Sequence, residues 1–213
     1  MIISHSKKFI FVHIPKTAGT SITRYLDRYS TYQDLTLGST KYGERIQPYY
    51  KKKYKIWKHS TSFEIKNVVG DETWNEYLSF SLVRNPWDRM VSFYEWCCSR
   101  QFKSNICEAA IQAGSFSKFV RSECFSKCNS QLKYLTDSKG NIITNFVGKQ
   151  ESIQEDFDYI CNKLGIPITN MSNMKQNISR KSHAYRKYYT SDEDIEIIKN
   201  QFSSEIKAFN YKF

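Results

Sequence analysis

The segment from Phe9 to Ser21 limits what this chain can fold into more than any other. Phe9–Ile14 is an apolar run of β-branched and aromatic residues that ends at Pro15, which is typical of a buried strand. A loop of Lys, Thr, Ala and Gly follows, and Ser21 then opens a helical pattern. A strand that feeds a helix through a short loop indicates an α/β protein.

A second segment of the same kind begins at Leu78. Leu78–Val83 has the composition of a strand, and Pro86 suits the first position of the helix that follows. Two strand–turn–helix units in succession favour a parallel sheet with helices on its faces. Without a linker or repeat, we predict one domain over residues 1–213, with a P-loop-like parallel sheet flanked by helices.

The remaining elements are predicted less sharply. Between the two units, Gln33 to Lys58 is polar and tyrosine-rich with weak periodicity, which predicts loops and short elements. A turn is predicted over Asp137–Asn141. Helices are predicted at Thr61–Val69, Phe116–Arg121 and Glu151–Leu164, and in a last segment that begins with the capping box Thr190-x-x-Glu193.

Charge and composition narrow the partners and the setting. The net charge of +11 implies an anionic partner, and the basic residues concentrate in 41–58 and 175–187. No nucleic-acid reading motif is present, so we expect no nucleic-acid partner. No run of about 18 apolar residues exists, so we expect no membrane span. The N-terminus does not resemble a signal peptide, and we expect a cytoplasmic protein.

The six cysteines do not match a usual zinc spacing. Five of them cluster between residues 97 and 128. Because nothing in the sequence indicates an oxidising compartment, we expect reduced thiols.

The loop after the first strand has the chemistry of an anion site. Unpaired N–H groups at the helix start and the helix dipole both attract negative charge. Gly19 allows close approach of the backbone, Lys16 adds a positive charge, and Thr17, Thr20 and Ser21 add hydroxyl donors. The lysine precedes the glycine and no glycine opens the loop, which argues against an ordinary ATPase or GTPase. Taken alone, the loop could also be a structural turn.

Two segments resemble a known family. Phe11–Ser21 closely resembles the 5′-phosphosulfate loop of sulfotransferases that use 3′-phosphoadenosine-5′-phosphosulfate (PAPS). Phe80–Tyr94 is similar to the 3′-phosphate element of that family, in which Arg84 and Ser92 would hold the 3′-phosphate. The nearest branch is the carbohydrate sulfotransferases, which include heparan sulfate 2-O and chondroitin enzymes and short bacterial members.

The placement of Arg84 also makes physical sense by itself. Arg84 would stand at the carboxyl end of a strand, where α/β sheets bind ligands, and arginine grips phosphate with two parallel hydrogen bonds. Ser92 lies about two helical turns further on and can face the same pocket. The alternative for Arg84 is a structural salt bridge.

Two later segments extend the resemblance. Asn145–Phe157 is similar to the segment that precedes the late helix of the family. Ser182–Tyr189 resembles a late loop near the nucleotide, although Ala184 is inserted into its pattern. The resemblance assigns to the nucleotide Lys16, Thr17, Ala18, Gly19, Thr20, Ser21, Arg84, Ser92, Tyr185 and Arg186.

Sulfuryl transfer to a hydroxyl group calls for charge neutralisation and for a base. Lys16 would neutralise the leaving oxygen, and no metal is expected. His59 resembles the family position in which a histidine followed by small hydroxyl residues is the catalytic base. His13 is expected to be packed beside the loop, and a capping or structural role for His59 stays open.

The sequence therefore predicts a sulfotransferase that moves a sulfuryl group from PAPS to a hydroxyl acceptor. The resemblance suggests a saccharide, and the basic, tyrosine-rich stretch 41–58 suits an anionic sugar with Tyr or Trp57 as stacking surfaces. A glycolipid, a small metabolite or a peptide tyrosine stays open as the acceptor. Adenosine 3′,5′-bisphosphate would be the second product. Two alternatives remain at this point. One is a P-loop nucleotide-dependent phosphotransferase, which would require magnesium. The other is a non-catalytic polyanion-binding protein, which would have no nucleotide site.

Overall fold

In the computed structural model, the strand that begins at Phe9 is the central strand of a five-stranded mixed sheet. The strands are β1 (Ile2–Ser4), β2 (Phe9–Phe11), β3 (Leu35–Thr36), β4 (Leu78–Val83) and β5 (Phe146–Lys149). Their order across the sheet is β3-β1-β2-β4-β5. Strands β2 and β4 are parallel, as the sequence predicts, and β5, which the sequence did not reveal, is parallel to β4. Strand β1 is antiparallel to both β2 and β3.

The antiparallel strands differ from the predicted parallel sheet for a local reason. Four polar residues, 5–8, turn the chain back after β1, and Lys8 adopts a positive φ of 51° there. The result is a hairpin in which Ile2 pairs with Phe11 and Ser4 pairs with Phe9. Three residues are too few to show a period, which is why the sequence did not reveal β1.

Eleven α-helices occur in the described residues, which are 1–99, 104–171 and 184–213. They are α1 (Gly19–Leu26), α2 (Lys41–Tyr54), α3 (Ser62–Val69), α4 (Asp71–Glu76), α5 (Pro86–Ser99), α6 (Asn105–Ala113), α7 (Phe116–Val120), α8 (Leu132–Leu135), α9 (Ile153–Leu164), α10 (Asp192–Gln201) and α11 (Ser203–Ala208). Within these ranges, none of the helices has both the length and the apolar character that crossing a bilayer requires.

The chain divides into two compact units. The first contains residues 1–83 and 131–171, and therefore the sheet with α1–α4, α8 and α9. The second contains the described residues 84–99, 104–130 and 184–213, with α5–α7, α10 and α11. The prediction of a single domain over residues 1–213 stays a prediction.

Helix α2 corrects the prediction of loops between Gln33 and Lys58. The Thr40 hydroxyl accepts a hydrogen bond of 3.0 Å from the Gly43 N–H and so caps this 14-residue helix. Gly43 is buried, but Tyr42 and Tyr49 are 61% and 57% exposed. A helix that buries so little has no apolar stripe, and its sequence therefore lacks the helical period that would have revealed it.

The last predicted helix is divided and begins one residue later than expected. The side chain of Ser191, not that of Thr190, accepts a hydrogen bond from the Asp194 N–H at the start of α10. Phe202 lies outside helical geometry and separates α10 from α11. Phe202 is nevertheless buried, as its place in the apolar pattern predicts.

The core of the first unit lies on one face of the sheet, against α1 and α9. Phe9 and Phe11 pack on Phe80 with ring centroids 5.8 and 5.2 Å apart. Tyr25 of α1 meets Phe157 of α9 edge to face at 5.6 Å. This packing fixes where α1 begins relative to β2, and hence the shape of the loop between them.

Replacing Ile160 with Ala tests this core. Ile160 is fully buried, so the cavity should lower the free energy of unfolding by about 3 kcal/mol. Ile168 is 55% exposed, so Ile168→Ala should change it by less than about 0.5 kcal/mol. Denaturant unfolding of both variants measures the difference, and equal losses would contradict the assignment of the core.

Candidate active site

The loop between β2 and α1 has an unusual backbone. Lys16 and Ala18 both adopt left-handed conformations, with φ of 70° and 64°. For residues other than glycine this costs about 1 kcal/mol each, and strain of this kind concentrates at functional sites. A left-handed residue followed by a helical one turns successive N–H groups to the same side. Such a concave array of N–H groups at a helix start binds anions.

The remaining contacts of the loop explain its rigidity. Ala18 has no side-chain acceptor, and its carbonyl accepts a hydrogen bond of 3.0 Å from the Ser21 N–H. The Thr17 hydroxyl is buried and donates to the Ile14 carbonyl at 3.0 Å. Its proton is used within the loop, so Thr17 would offer an anion its backbone N–H and not the hydroxyl donor that the sequence predicts. Lys16, Thr20 and Ser21 are partly exposed.

The backbone of Gly19 lies directly against the side chain of His13. A Cβ atom at this position would lie 2.2 Å from Cδ2 and 2.4 Å from Nε2 of His13. From the sequence, Gly19 is expected to let a ligand approach the backbone closely. The structure supplies a different requirement, because the imidazole of His13 occupies the space that any larger residue would need.

His59 lies in a tight turn just before α3. The Trp57 N–H donates to the Ser60 hydroxyl, and the Ser60 N–H donates to the Trp57 carbonyl, both at 3.0 Å. Thr61 and Glu64 then form a reciprocal capping box at the start of α3. Since Thr61 caps this helix, His59 does not.

A hydrogen bond fixes the tautomer of His59. Its Nδ1 lies 2.8 Å from the carbonyl oxygen of His13. A carbonyl can only accept, so Nδ1 carries the proton and donates it. In the neutral ring, Nε2 is then the unprotonated nitrogen that can take a proton from another group. The ring of His59 meets that of His13 edge to face at 4.7 Å and that of Trp57 edge to face at 5.2 Å.

Both histidines are kept neutral by their surroundings. Burial lowers the pKa of His59 to about 4, against an opposing contribution from the hydrogen bond to His13. Burial also lowers the pKa of His13 well below its usual value, and His59 adds to the effect. Near neutral pH this part of the site therefore presents an uncharged imidazole base.

Arg84 and Ser92 lie in the second unit. Arg84 lies two residues before the start of α5, and its Nε and Nη2 are 2.8 and 2.7 Å from Oδ2 of Asp88, four residues further on. This is the salt bridge that the sequence left open as the alternative reading. Ser92 is largely buried on α5.

Tyr185 and Arg186 follow in a short 3₁₀ helix of the same unit. Tyr185 is buried, with its ring centroid 5.8 Å from that of Phe213. The Arg186 guanidinium stacks over the Phe213 ring at 5.2 Å and donates to a backbone oxygen of Phe213 at 2.8 Å. Ser182 and His183, which belong to the same predicted loop, lie outside the described residues.

Two further residues lie next to His59, and one of them, Trp57, is the stacking surface for a sugar that the sequence suggests. Trp57 packs on its ring, and Lys51 places Nζ 5.2 Å from the centroid of Trp57. A tryptophan two positions before the candidate base was a signal available in the sequence, but Lys51 required the course of α2. All six cysteines are free thiols, and no group of three or more metal-binding side chains in the described ranges is arranged to hold an ion.

Comparison with known proteins places this geometry in context. A family model described as "Sulfotransferase family" matches residues 1–212. An uncharacterized protein of Archaeoglobus fulgidus is 32% identical over 105 residues, which cover 48% of this chain and 80% of that protein. No solved structure matches the chain.

The lowered pKa of His59 predicts acid sensitivity. Below pH 6.5 the unfolded chain protonates this residue while the folded chain does not, so the free energy of unfolding should fall between pH 6.5 and 4. Because the ring is partly exposed, we expect this residue to contribute about 2 kcal/mol of that loss. Denaturant unfolding across this pH window measures it.

The matched controls are two substitutions of histidine by glutamine. His59→Gln should remove part of the acid sensitivity. His5→Gln should retain it, because His5 bonds to the Tyr77 hydroxyl outside the site. The same pH dependence in His59→Gln as in the unsubstituted protein would contradict the proposed environment of His59.

Proposed function

This chain belongs to the sulfotransferase family, and on that premise we propose that it transfers a sulfuryl group from PAPS to a hydroxyl acceptor. One observation carries the proposal: a strained, anion-type loop at the start of α1 is linked through His13 to a neutral, tautomer-fixed His59. The loop suits the anionic donor, and the imidazole suits the acceptor hydroxyl. Neither feature alone would specify group transfer.

The donor phosphosulfate is assigned to the P-loop-like segment from Lys16 to Ser21. Its backbone N–H groups would bind the 5′-phosphosulfate, as helix starts bind phosphates elsewhere. Lys16 would neutralise the bridging oxygen as the sulfur–oxygen bond breaks. Adenosine 3′,5′-bisphosphate would be the leaving group, and Lys16 would stabilise the negative charge on its 5′-phosphate oxygen.

The 3′-phosphate is assigned to Arg84 and Ser92. The ion pair with Asp88 supports this role, because it fixes the orientation of the Arg84 guanidinium. Tyr185 and Arg186 are assigned to the nucleotide on the family resemblance. Their packing on Phe213 would make them indirect contributors that shape the surrounding surface.

His59 is assigned the role of general base. Its Nε2 would take the proton of the acceptor hydroxyl as the oxygen attacks sulfur, and the new oxygen–sulfur bond forms as the donor bond breaks. A pKa of about 4 makes a weak base in the free protein. Bound phosphosulfate brings negative charge close to this ring, which raises its pKa toward neutrality.

A saccharide is the acceptor that the surroundings of His59 favour. The partly exposed indole of Trp57 beside the base offers a flat apolar face of the kind on which sugar rings stack. Lys51 stands over that indole, and α2 adds Lys52, Lys53 and the exposed ring of Tyr49. This combination suits a sugar that bears negative charge.

Calorimetry with adenosine 3′,5′-bisphosphate, with and without magnesium, tests the donor assignment. We expect binding without metal, and weaker binding of ATP. Arg84→Ala should raise the Kd for adenosine 3′,5′-bisphosphate by about tenfold or more, because it removes charge-assisted hydrogen bonds to phosphate. Lys118→Ala, a change on α7 of the same unit, is the control and should bind normally. Binding of ATP in preference, and only with magnesium, would favour a phosphotransferase instead.

Turnover with a labelled sulfate donor tests the catalytic assignments. Lys16→Ala and His59→Ala should each lower kcat by about 10²- to 10⁴-fold, since they remove charge stabilisation and proton transfer. His59→Ala should leave nucleotide affinity nearly unchanged. Lys7→Ala and His5→Ala are matched controls in the same unit and should react normally. Full turnover by His59→Ala would eliminate the base assignment.

A further inference from the structure

The geometry points to His13 as a positioning residue that holds the base His59 against the first turn of α1. The inference rests on the proposed role of His59 and adds a residue that touches neither donor nor acceptor. His13 follows β2 directly and is 3% exposed. It contacts both parts of the site, the loop and the base.

The contact with the loop is made by the ring edge of His13. Cδ2 and Nε2 lie so close to Gly19 that no Cβ atom fits between them. Gly19 is the first residue of α1, so the ring packs directly against the turn whose N–H groups face the anion. The five-membered ring fills this space, whereas a larger ring would overpack it.

The contact with the base is made twice by the same residue. The carbonyl of His13 accepts the Nδ1–H of His59 at 2.8 Å, which sets the tautomer. The imidazole of His13 meets the His59 ring edge to face at 4.7 Å, which limits its rotation. A displacement of His13 would therefore move the loop and the base together.

His13 is unsuited to proton transfer itself. Its Nδ1 has no hydrogen-bond partner among the described residues, and the ring stacks on Phe11 at 5.8 Å with an interplanar angle of 25°. Burial holds it neutral. Its contribution is its shape and its carbonyl, both of which act through His59.

Replacing His13 with Ala is the direct test. The empty space would let water reach His59 and let its ring rotate, so its pKa should rise from about 4 toward the ordinary 6.5. The other titratable groups that face His59 stay in place: Lys58, Glu44 and the amino group of Met1. Imidazole ¹⁵N NMR reports both the tautomer and the titration of His59 without any turnover.

Kinetics give the second measurement. His13→Ala should lower kcat by about 10- to 100-fold, because a misplaced base slows chemistry. It should leave the KM for the donor within about twofold, because the loop keeps its own hydrogen bonds from Thr17 to Ile14 and from Ser21 to Ala18. Ile10→Ala is the matched control. It removes a fully buried side chain from β2 on the opposite face of the sheet, and it should leave the His59 titration and kcat unchanged.

Two further variants keep the test decisive. If His13→Ala does not fold, His13→Asn keeps a smaller planar side chain and should shift the His59 titration in the same direction. Gly19→Ala should unfold at lower denaturant than the unsubstituted protein, and adding His13→Ala should reverse most of that loss.

The outcomes separate this inference from the proposed function. A His59 titration unchanged in both His13 variants would overturn the positioning role of the imidazole, whatever the enzyme transfers; the tautomer itself should persist, because both variants keep the backbone carbonyl that accepts the Nδ1–H. A shifted titration in a protein that binds no adenosine 3′,5′-bisphosphate would support the positioning role and reject the proposed donor.

Discussion

The hydrogen bond from Nδ1 of His59 to the carbonyl of His13 is the interaction on which the account of this site depends. It joins a turn before α3 to the end of β2, 46 residues earlier in the chain. The same residue that accepts this bond fills the space beside Gly19 at the start of α1. One buried imidazole therefore couples the anion-type loop, the helix behind it and the candidate base.

The parts of the fold that could be predicted from sequence are those whose burial leaves a pattern. Strand β4 and the end of α9 at Gly165 agree with their predicted bounds, since both elements bury a recognisable set of apolar residues. Helix α2 was missed because it is mostly exposed, and β1 because it is three residues long. The antiparallel pairing of β1 with β2 depends on the polar turn between them, and the hydrophobic pattern of the sequence does not show which way that turn leads the chain.

The candidate site also has features that could be predicted from the sequence and features that could not. The anion character of Lys16 to Ser21 and the place of His59 follow from residue types and from resemblance to a family. The reason for Gly19 does not, because it is a contact with His13 that exists only in three dimensions. The pairing of Arg84 with Asp88, one helical turn apart, could have been recognised from their spacing. The stacking of Arg186 on Phe213 could not have been recognised in this way, because the two residues are far apart in the sequence.

The central claim is that the anion bound by the loop and the base His59 are electrostatic neighbours. Measuring the pKa of His59 by imidazole ¹⁵N NMR, with and without saturating adenosine 3′,5′-bisphosphate, tests it most directly. The account predicts a pKa of about 4 in the free protein and a clearly higher value in the complex, because bound phosphate favours the protonated ring. An identical pKa in the two states, with the nucleotide shown to be bound, would contradict it.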